Sequence, residues 1–223
     1  MKMSKFIFSK HAEKITKRVN GSWPALKGVL KDTDGAWYAT DSHILLWANL
    51  GGPTENRIVV NPKTGETIDY TYPDVKRIIP KNSGETIFVA TDVAALCASV
   101  KAYLSLAIIT KTGERNLKKM DVVCRIKYPF GDRHFTIDDF ANRDENAVAR
   151  VQISSPYRPM KGEGFFQSFK PALLLDALEL FKDAGINEIT WSYYGESRPF
   201  LLNGENAGAL ILPFRELAGG NGG

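Results

Sequence analysis

The chain has 223 residues, of which 43% are hydrophobic and 24% charged, and its formal net charge is +4. These proportions are typical of a globular protein and exclude a disordered chain. No apolar run is long enough to span a membrane, and the one near the N-terminus is too short for a signal peptide. Two cysteines without a CxxC motif predict a reduced, cytoplasmic protein with no disulfide framework and no zinc site.

The first 50 residues predict a strand, a helix and then further strands. Phe6 and Phe8 alternate as in a strand, and Ser9 is a suitable N-cap for a helix that runs to residue 19. A DTDG turn at residues 32–35 and a second turn at Asp41 separate the strand-like segments that follow. This part of the chain therefore predicts an α+β unit with antiparallel strands.

The same order of elements recurs further along the chain. Residues 87–100 predict a strand and a helix capped by Thr91 or Asp92, and they align without a gap with the first strand and helix. Residues 169–185 predict a third helix with Pro171 in its first turn, followed by more strand-like segments. The recurring unit of strand, helix and about three antiparallel strands indicates internal repetition within an α+β fold.

Three consecutive residues, Asp41, Ser42 and His43, are the residue types of a serine hydrolase. Neighbouring side chains of a strand point to opposite faces, so these three cannot form a hydrogen-bonded triad among themselves. We interpret Asp41 and Ser42 as a turn between two strands. The histidines His11, His43 and His134 lie far apart without ligand spacing, and no phosphate-binding loop is present. The sequence therefore predicts no catalytic residue, no metal site and no cofactor.

Basic residues of the first helix occupy about one-third of its circumference, opposite an apolar stripe. Such a row of cations can contact the phosphates of duplex DNA without reading its bases. A solvated helix face is the alternative interpretation of the same pattern. In the second helix the outward face carries a single cation. The residues predicted to contact DNA are Lys10, Lys14, Lys17, Arg18 and Lys101.

Three short stretches, taken in order, resemble one protein family. ATDSHILL at residues 39–46 is similar to an ATDGHRLA pattern, and YPDVKRIIPKN at residues 72–82 is similar to a connector written FPDYRRVLPKN. ALILPFR at residues 209–215 is similar to a closing strand written VVMPMRL. All three patterns belong to the bacterial sliding clamp, the beta subunit of DNA polymerase III. The resemblance covers about residues 6–217, which match the second and third domains of that family.

The resemblance implies the α+β DNA-clamp fold, with repeated strand-helix-three-strand units, antiparallel sheets outside and helices around a central hole. It implies a shortened N-terminal clamp-like domain at residues 1–76, a C-terminal one at residues 77–218 and a flexible tail at residues 219–223. The chain departs from the family in three ways. It lacks the first domain, it has Ser42 in place of a glycine, and it has Ile44 in place of an arginine.

The resemblance also implies an apolar pocket that takes a short linear peptide from the polymerase and from other partners. In the family the turn, the connector and the closing strand converge on this pocket. An apolar floor with a polar rim is a common design for anchoring a peptide. The matching positions in this chain are Thr40, Ser42, His43, Leu45, Pro73, Arg77, Ile78, Leu210 and Leu212.

The function that the resemblance implies is that of a DNA polymerase processivity factor without enzymatic activity. Its expected partners are duplex DNA, a DNA polymerase, other proteins with a clamp-binding motif, a clamp loader and further copies of the chain in a ring. Two alternatives remain open from the sequence. One is an adaptor that keeps the peptide pocket but does not encircle DNA, and the other is an enzyme of unknown type.

Overall fold

The computed structural model of the chain describes residues 3–110, 122–128, 135–139, 150–153, 157–162 and 164–214. The predicted tail at residues 219–223 lies outside these ranges. Within them the structure has three α-helices: α1 (Lys5–Thr16), α2 (Val93–Thr110) and α3 (Pro171–Asp183). In this part of the chain, no helix combines the length and the apolar character that crossing a membrane requires.

Helix α1 begins earlier than the sequence predicts. Ser4 rather than Ser9 is its N-cap, and the Ser4 hydroxyl oxygen accepts a hydrogen bond from the backbone N–H of Ile7 at 3.2 Å. Phe8 is fully buried, whereas Phe6 is 79% exposed, so the two rings lie on different faces as they do in a helix. The prediction of a strand at Phe6 and Phe8 was wrong, because two aromatic residues two apart do not distinguish strand from helix spacing.

The other two helices begin where the sequence predicts. The Asp92 carboxylate accepts the backbone N–H of Ala95 at 2.8 Å and caps α2. Pro171 occupies the first turn of α3. Gly185 follows the C-terminus of α3 with a φ of 73°, a left-handed conformation that glycine adopts without strain.

Within the described part of the chain, thirteen strands, numbered in chain order, form two antiparallel sheets. The larger sheet has nine strands in the order β4-β1-β2-β3-β13-β12-β11-β5-β9. Its strands are β1 (Val29–Lys31), β2 (Ala36–Thr40), β3 (Ile44–Asn49), β4 (Ile58–Val60), β5 (Thr86–Ala90), β9 (Tyr157–Lys161), β11 (Ile189–Tyr193), β12 (Phe200–Asn203) and β13 (Ala207–Ile211). The smaller sheet has the order β10-β6-β7-β8. Its strands are β6 (Cys124–Tyr128), β7 (Phe135–Asp139), β8 (Arg150–Ile153) and β10 (Phe165–Phe169).

Strands from both predicted domains share the larger sheet. β3 pairs antiparallel with β13, with Leu45 opposite Leu210 and Ile44 opposite Ile211. The predicted division between residues 76 and 77 falls inside a short 3₁₀ helix at Val75–Ile78. The division into two domains therefore stays a prediction.

Two apolar clusters lie on opposite faces of the larger sheet, because successive side chains of a strand alternate in direction. The main core contains the buried faces of the three helices together with strand residues such as Leu46 and Trp191. The smaller cluster contains Leu45 and Leu210 from the paired strands and Tyr72 from the connector. The helices therefore cover one face, and the connector covers part of the other.

A buried histidine joins α1 to α3. His11 is 4% exposed, and its Nε2 lies 3.0 Å from a carboxylate oxygen of Asp183, which also accepts a hydrogen bond from Lys10 at 2.9 Å. Burial lowers the pKa of His11, and attraction to Asp183 offsets this only in part. The folded protein therefore holds His11 in its neutral form at pH 7.

We expect the free energy of unfolding to fall as the pH is lowered from 7 to 5. In the unfolded chain His11 takes up a proton near its ordinary pKa of 6.5, whereas in the folded protein its pKa is lower, so acid favours unfolding. His11→Gln should flatten this pH dependence. Denaturant unfolding of the wild type and of His11→Gln at several pH values measures the difference. An unchanged slope for His11→Gln would contradict the assignment.

Candidate functional site

The turn between β2 and β3 is built by the side chains of two of its own residues. The Thr40 hydroxyl donates to the backbone carbonyl of Ile44 at 2.7 Å. One carboxylate oxygen of Asp41 accepts the backbone N–H groups of His43 and Ile44, at 2.9 and 3.0 Å. Ser42 has a φ of 73°, the left-handed conformation that the matching glycine of the family pattern would adopt without strain. Asp41 therefore has a structural role, as the interpretation of these residues as a turn requires.

A cavity of about 450 Å³ opens beside this turn. One side of it is formed by the residues that follow α1, up to a 3₁₀ helix at Pro24–Lys27. The other side is the turn itself. Leu26 is buried, whereas Trp23 is 64% exposed. The residues that line the cavity are Arg18, Val19, Asn20, Trp23, Leu26, Asp41, Ser42 and His43.

The structure brings together six of the nine residues predicted for the partner-peptide pocket. Leu45 and Leu210 face each other across the β3–β13 pair and belong to the smaller apolar cluster. The backbone N–H of Leu212 donates to the carbonyl of His43 at 3.0 Å, so the closing strand meets the turn directly. The six residues are Thr40, Ser42, His43, Leu45, Leu210 and Leu212, and of these Ser42 and His43 line the cavity.

The remaining three predicted residues lie on the connector. Pro73, Arg77 and Ile78 are exposed, and Ile78 shows 53% of its surface to solvent. Their neighbours Tyr72 and Val75 are buried in the smaller apolar cluster. Burial raises the pKa of the Tyr72 phenol, whose surroundings include Thr40 and Asp41. The connector is therefore anchored beside the turn by residues that the sequence prediction did not select.

Sequence reasoning also missed the apolar wall of the cavity. The first helix was predicted to run to residue 19, but α1 ends at Thr16, and Val19 lies in the segment that turns back along the cavity. Trp23 stands between Ser22 and Pro24, outside any periodic segment. A large aromatic residue in a short loop of this kind was the available signal, since loops often carry binding residues.

Four of the five cations predicted to contact DNA lie close to carboxylates of α3. Lys14 Nζ is 2.7 Å from Asp176 and 2.8 Å from Glu179. Lys101, on α2, also pairs with Glu179, with its Nζ 3.0 Å from a carboxylate oxygen. The two lysines each have about half of their side-chain surface exposed, at 47%. These pairs connect all three helices.

Two further predicted cations are the most exposed of the row. Lys10 Nζ pairs with Asp183 at 2.9 Å, and its side chain is 62% exposed. Lys17 Nζ pairs with Glu13 one turn earlier on the same helix at 2.7 Å, and its side chain is 70% exposed. Water screens exposed pairs of this kind, so they contribute little to stability and either lysine can exchange its partner at little cost.

Arg18 differs from the lysines because its side chain is only 23% exposed. Its Nε donates to Asp41 at 2.7 Å, and its Nη1 donates to Asp176 at 2.5 Å. Burial lowers the pKa of Arg18, but attraction to Asp176 and Asp41 outweighs burial and leaves the pKa raised. Arg18 therefore reaches from the end of α1 to both the turn and α3.

Comparison with known proteins gives structural matches alone. No protein-family model matches the chain, and no curated protein matches it. The similar solved structures are bacterial sliding clamps. The clamp of Bacillus subtilis is 21% identical with a TM-score of 0.67, and the DNA polymerase III beta chain of Streptococcus pneumoniae is 19% identical with a TM-score of 0.68. The beta sliding clamp of C. crescentus is 16% identical with a TM-score of 0.70.

These matches cover 95% of this chain and 63% of each of the three clamps. The chain therefore spans less than two thirds of the length of the clamps that it resembles. Similarity at these identities establishes the fold, and it confirms the α+β clamp fold and the family resemblance that the sequence predicted. The chain has the fold of the bacterial DNA polymerase III beta sliding clamps over nearly its whole length.

Proposed function

We propose that the chain is a cytoplasmic, non-enzymatic, sliding-clamp-like processivity factor that holds its partners through a short peptide. The observation that carries this proposal is the cavity of about 450 Å³ at the turn between β2 and β3, on a clamp fold. A DNA polymerase and other proteins with a clamp-binding motif are the proposed partners.

The lining of the cavity suits the anchoring of a peptide side chain. Val19, Leu26 and Trp23 supply an apolar wall, which favours a large apolar side chain of the partner. Ser42 and His43 form the polar lip on the other side of the cavity. The Ser42 hydroxyl donates to the backbone carbonyl of Asp41, so its oxygen can accept a hydrogen bond from the peptide backbone, and the His43 ring can form another. A concave apolar site with few polar groups is the usual design of such sites.

The other predicted pocket residues have two roles in this proposal. Leu45 and Leu210 support the turn from below through the smaller apolar cluster, together with Thr40 within the turn. Pro73, Arg77, Ile78 and Leu212 extend the binding surface beyond the cavity, along the exposed side of the connector and the closing strand. The peptide would thus be anchored in the cavity and continue over this surface.

Duplex DNA is the second proposed partner. The exposed lysines Lys10, Lys14, Lys17 and Lys101 would contact phosphates. Lys10 and Lys17 would leave exposed ion pairs to do so, whereas Lys14 and Lys101 would leave carboxylates that are less exposed. Neighbouring carboxylates reduce the local positive potential, so we expect weak binding that depends strongly on salt. Encirclement would require several copies of the chain in a closed ring, which a clamp loader would open.

We expect Trp23→Ala to weaken the binding of a clamp-type peptide at least about ten-fold, because large aromatic residues contribute most to such sites. The probe is a series of fluorescein-labelled short linear peptides that each carry a large apolar residue, and anisotropy gives the Kd of each. Trp23 is 64% exposed, so the free energy of unfolding should change by less than about 0.5 kcal/mol.

The matched control is Tyr70→Ala, which removes another exposed aromatic side chain, 53% exposed, from the loop before the connector. It should leave peptide affinity unchanged. Equal affinities for the wild type and Trp23→Ala, with the fold intact, would rule out the cavity as the anchor site. Leu212→Asp extends the test to the closing strand, where we expect a similar loss.

We expect the double variant Lys10→Gln/Lys17→Gln to bind duplex DNA more weakly at low salt. The slope of log K against log salt should become shallower by about 2, since each phosphate contact contributes roughly 0.9. Anisotropy with a labelled duplex, at several salt concentrations, measures both quantities. Lys161→Gln, on the edge strand β9, is the control for the loss of a positive charge at a position outside the row.

An identical salt slope for the double variant and for Lys161→Gln would contradict the assignment of these lysines. Peptide binding without any duplex binding at low salt would indicate the adaptor function instead. Light scattering across a wide range of protein concentrations measures the oligomeric state. A strict monomer of 24.8 kDa at every concentration would contradict a closed ring.

A further inference from the structure

We propose that Arg18 is a positioning residue, which holds the turn at Asp41–His43 in the shape that forms the cavity, rather than a contact to phosphate. The expected effect of Arg18 on peptide binding rests on the proposed function, whereas its effect on the shape of the turn is independent of that function. Arg18 belongs by sequence to the row of basic residues on α1, so this inference separates it from the lysines of that row.

The Asp41 carboxylate is the point at which the turn is held. One of its oxygens accepts the backbone N–H groups of His43 and Ile44, and the other accepts Arg18 Nε at 2.7 Å. The Asp41 side chain is only 3% exposed. A buried carboxylate is costly without a cation and hydrogen bonds. Arg18 supplies the cation, so it supports the carboxylate on which both backbone hydrogen bonds depend.

The second end of the guanidinium is fixed on α3. Nη1 donates to Asp176, whose side chain is 5% exposed. The planar guanidinium therefore bridges two buried carboxylates from separate elements, a geometry that a lysine ammonium cannot reproduce with the same reach. Because α3 packs in the main core, the turn is tied to the rigid part of the fold through Arg18.

Arg18 also determines how the two sides of the cavity meet. Val19 and Asn20, which follow it directly, line one side, and Ser42 and His43 line the other. The bond from Arg18 to Asp41 crosses from the first side to the second. The distance between the apolar wall and the polar lip therefore depends on this ion pair.

A phosphate contact by Arg18 would break these bonds. Its Nε and Nη1 both donate to carboxylates, and withdrawal toward a phosphate would leave Asp41 buried without its cation. Lys17, the preceding residue, is 70% exposed and pairs only along its own helix in the described structure. Two adjacent cations of the same predicted row are thus placed in opposite environments.

The test compares Arg18→Gln, Arg18→Lys and the matched control Lys17→Gln. Hydrogen exchange by NMR reports directly on the backbone N–H groups of His43 and Ile44, which donate hydrogen bonds to the Asp41 carboxylate. We expect Arg18→Gln to speed exchange at both amides at least ten-fold relative to the wild type and to Lys17→Gln. Arg18→Lys should give an intermediate rate, because it restores the charge without the bridge.

Peptide and duplex affinities are measured on the same proteins with the labelled probes described above. We expect Arg18→Gln to weaken peptide binding about ten-fold or more, with Lys17→Gln unchanged. For duplex DNA we expect the reverse order, with Lys17→Gln reducing the salt slope by about 0.9 and Arg18→Gln leaving it unchanged. A general loss of structure would not produce this opposite pattern.

Unchanged exchange at His43 and Ile44 in folded Arg18→Gln would overturn the inference, as would a salt slope reduced as much as in Lys17→Gln. If the wild type binds no peptide of the series, the proposed function fails, while the exchange rates still decide the role of Arg18. Should Arg18→Gln not fold, Arg18→Lys and Asp41→Asn give the same comparison. Asp41→Asn should be non-additive with Arg18→Lys, because the two residues act through one contact.

Discussion

The antiparallel pairing of β3 with β13 is the contact on which the rest of the structure depends. It brings Leu45 opposite Leu210, two residues that are far apart in the sequence, and so joins the N-terminal strands to the C-terminal strands in one sheet. The turn before β3 and the chain after β13 then lie side by side, as the bond from Leu212 to His43 shows. Pairing of this kind closes a long loop, which costs conformational entropy. The many apolar contacts of the sheet offset this cost.

This pairing also explains where the candidate site lies. The sheet presents one face to the helices and the other to the connector, and the turn at Thr40 to Ile44 stands at its end, within reach of both. From the helix face Arg18 reaches Asp41, and on the connector side Tyr72 lies buried near the same turn. The cavity forms at this junction because the segment after α1 returns along the turn rather than away from it.

Local patterns predicted much of the fold, because turns and helix ends depend on a few neighbouring residues. The turn at residues 32–35, the cap at Asp92 and the start of α3 at Pro171 are examples. The start of α1 was missed, since the spacing of Phe6 and Phe8 is compatible with both a strand and a helix. The cavity wall at Val19 and Trp23 was missed for another reason. It depends on how the chain folds back after a helix, which is a tertiary property without a sequence period.

The basic side chains on and just after α1 pair in order with the acidic side chains of α3. Lys10 meets Asp183, Lys14 meets Glu179 and Asp176, and Arg18 meets Asp176, so the two helices run antiparallel along a ladder of ion pairs. Side-chain exposure falls along this ladder, from 62% at Lys10 through 47% at Lys14 to 23% at Arg18. Ion pairs gain strength and become harder to exchange as water is excluded. The three cations that face α3 therefore range from the exposed, easily exchanged Lys10 to the largely buried Arg18, which also reaches the turn.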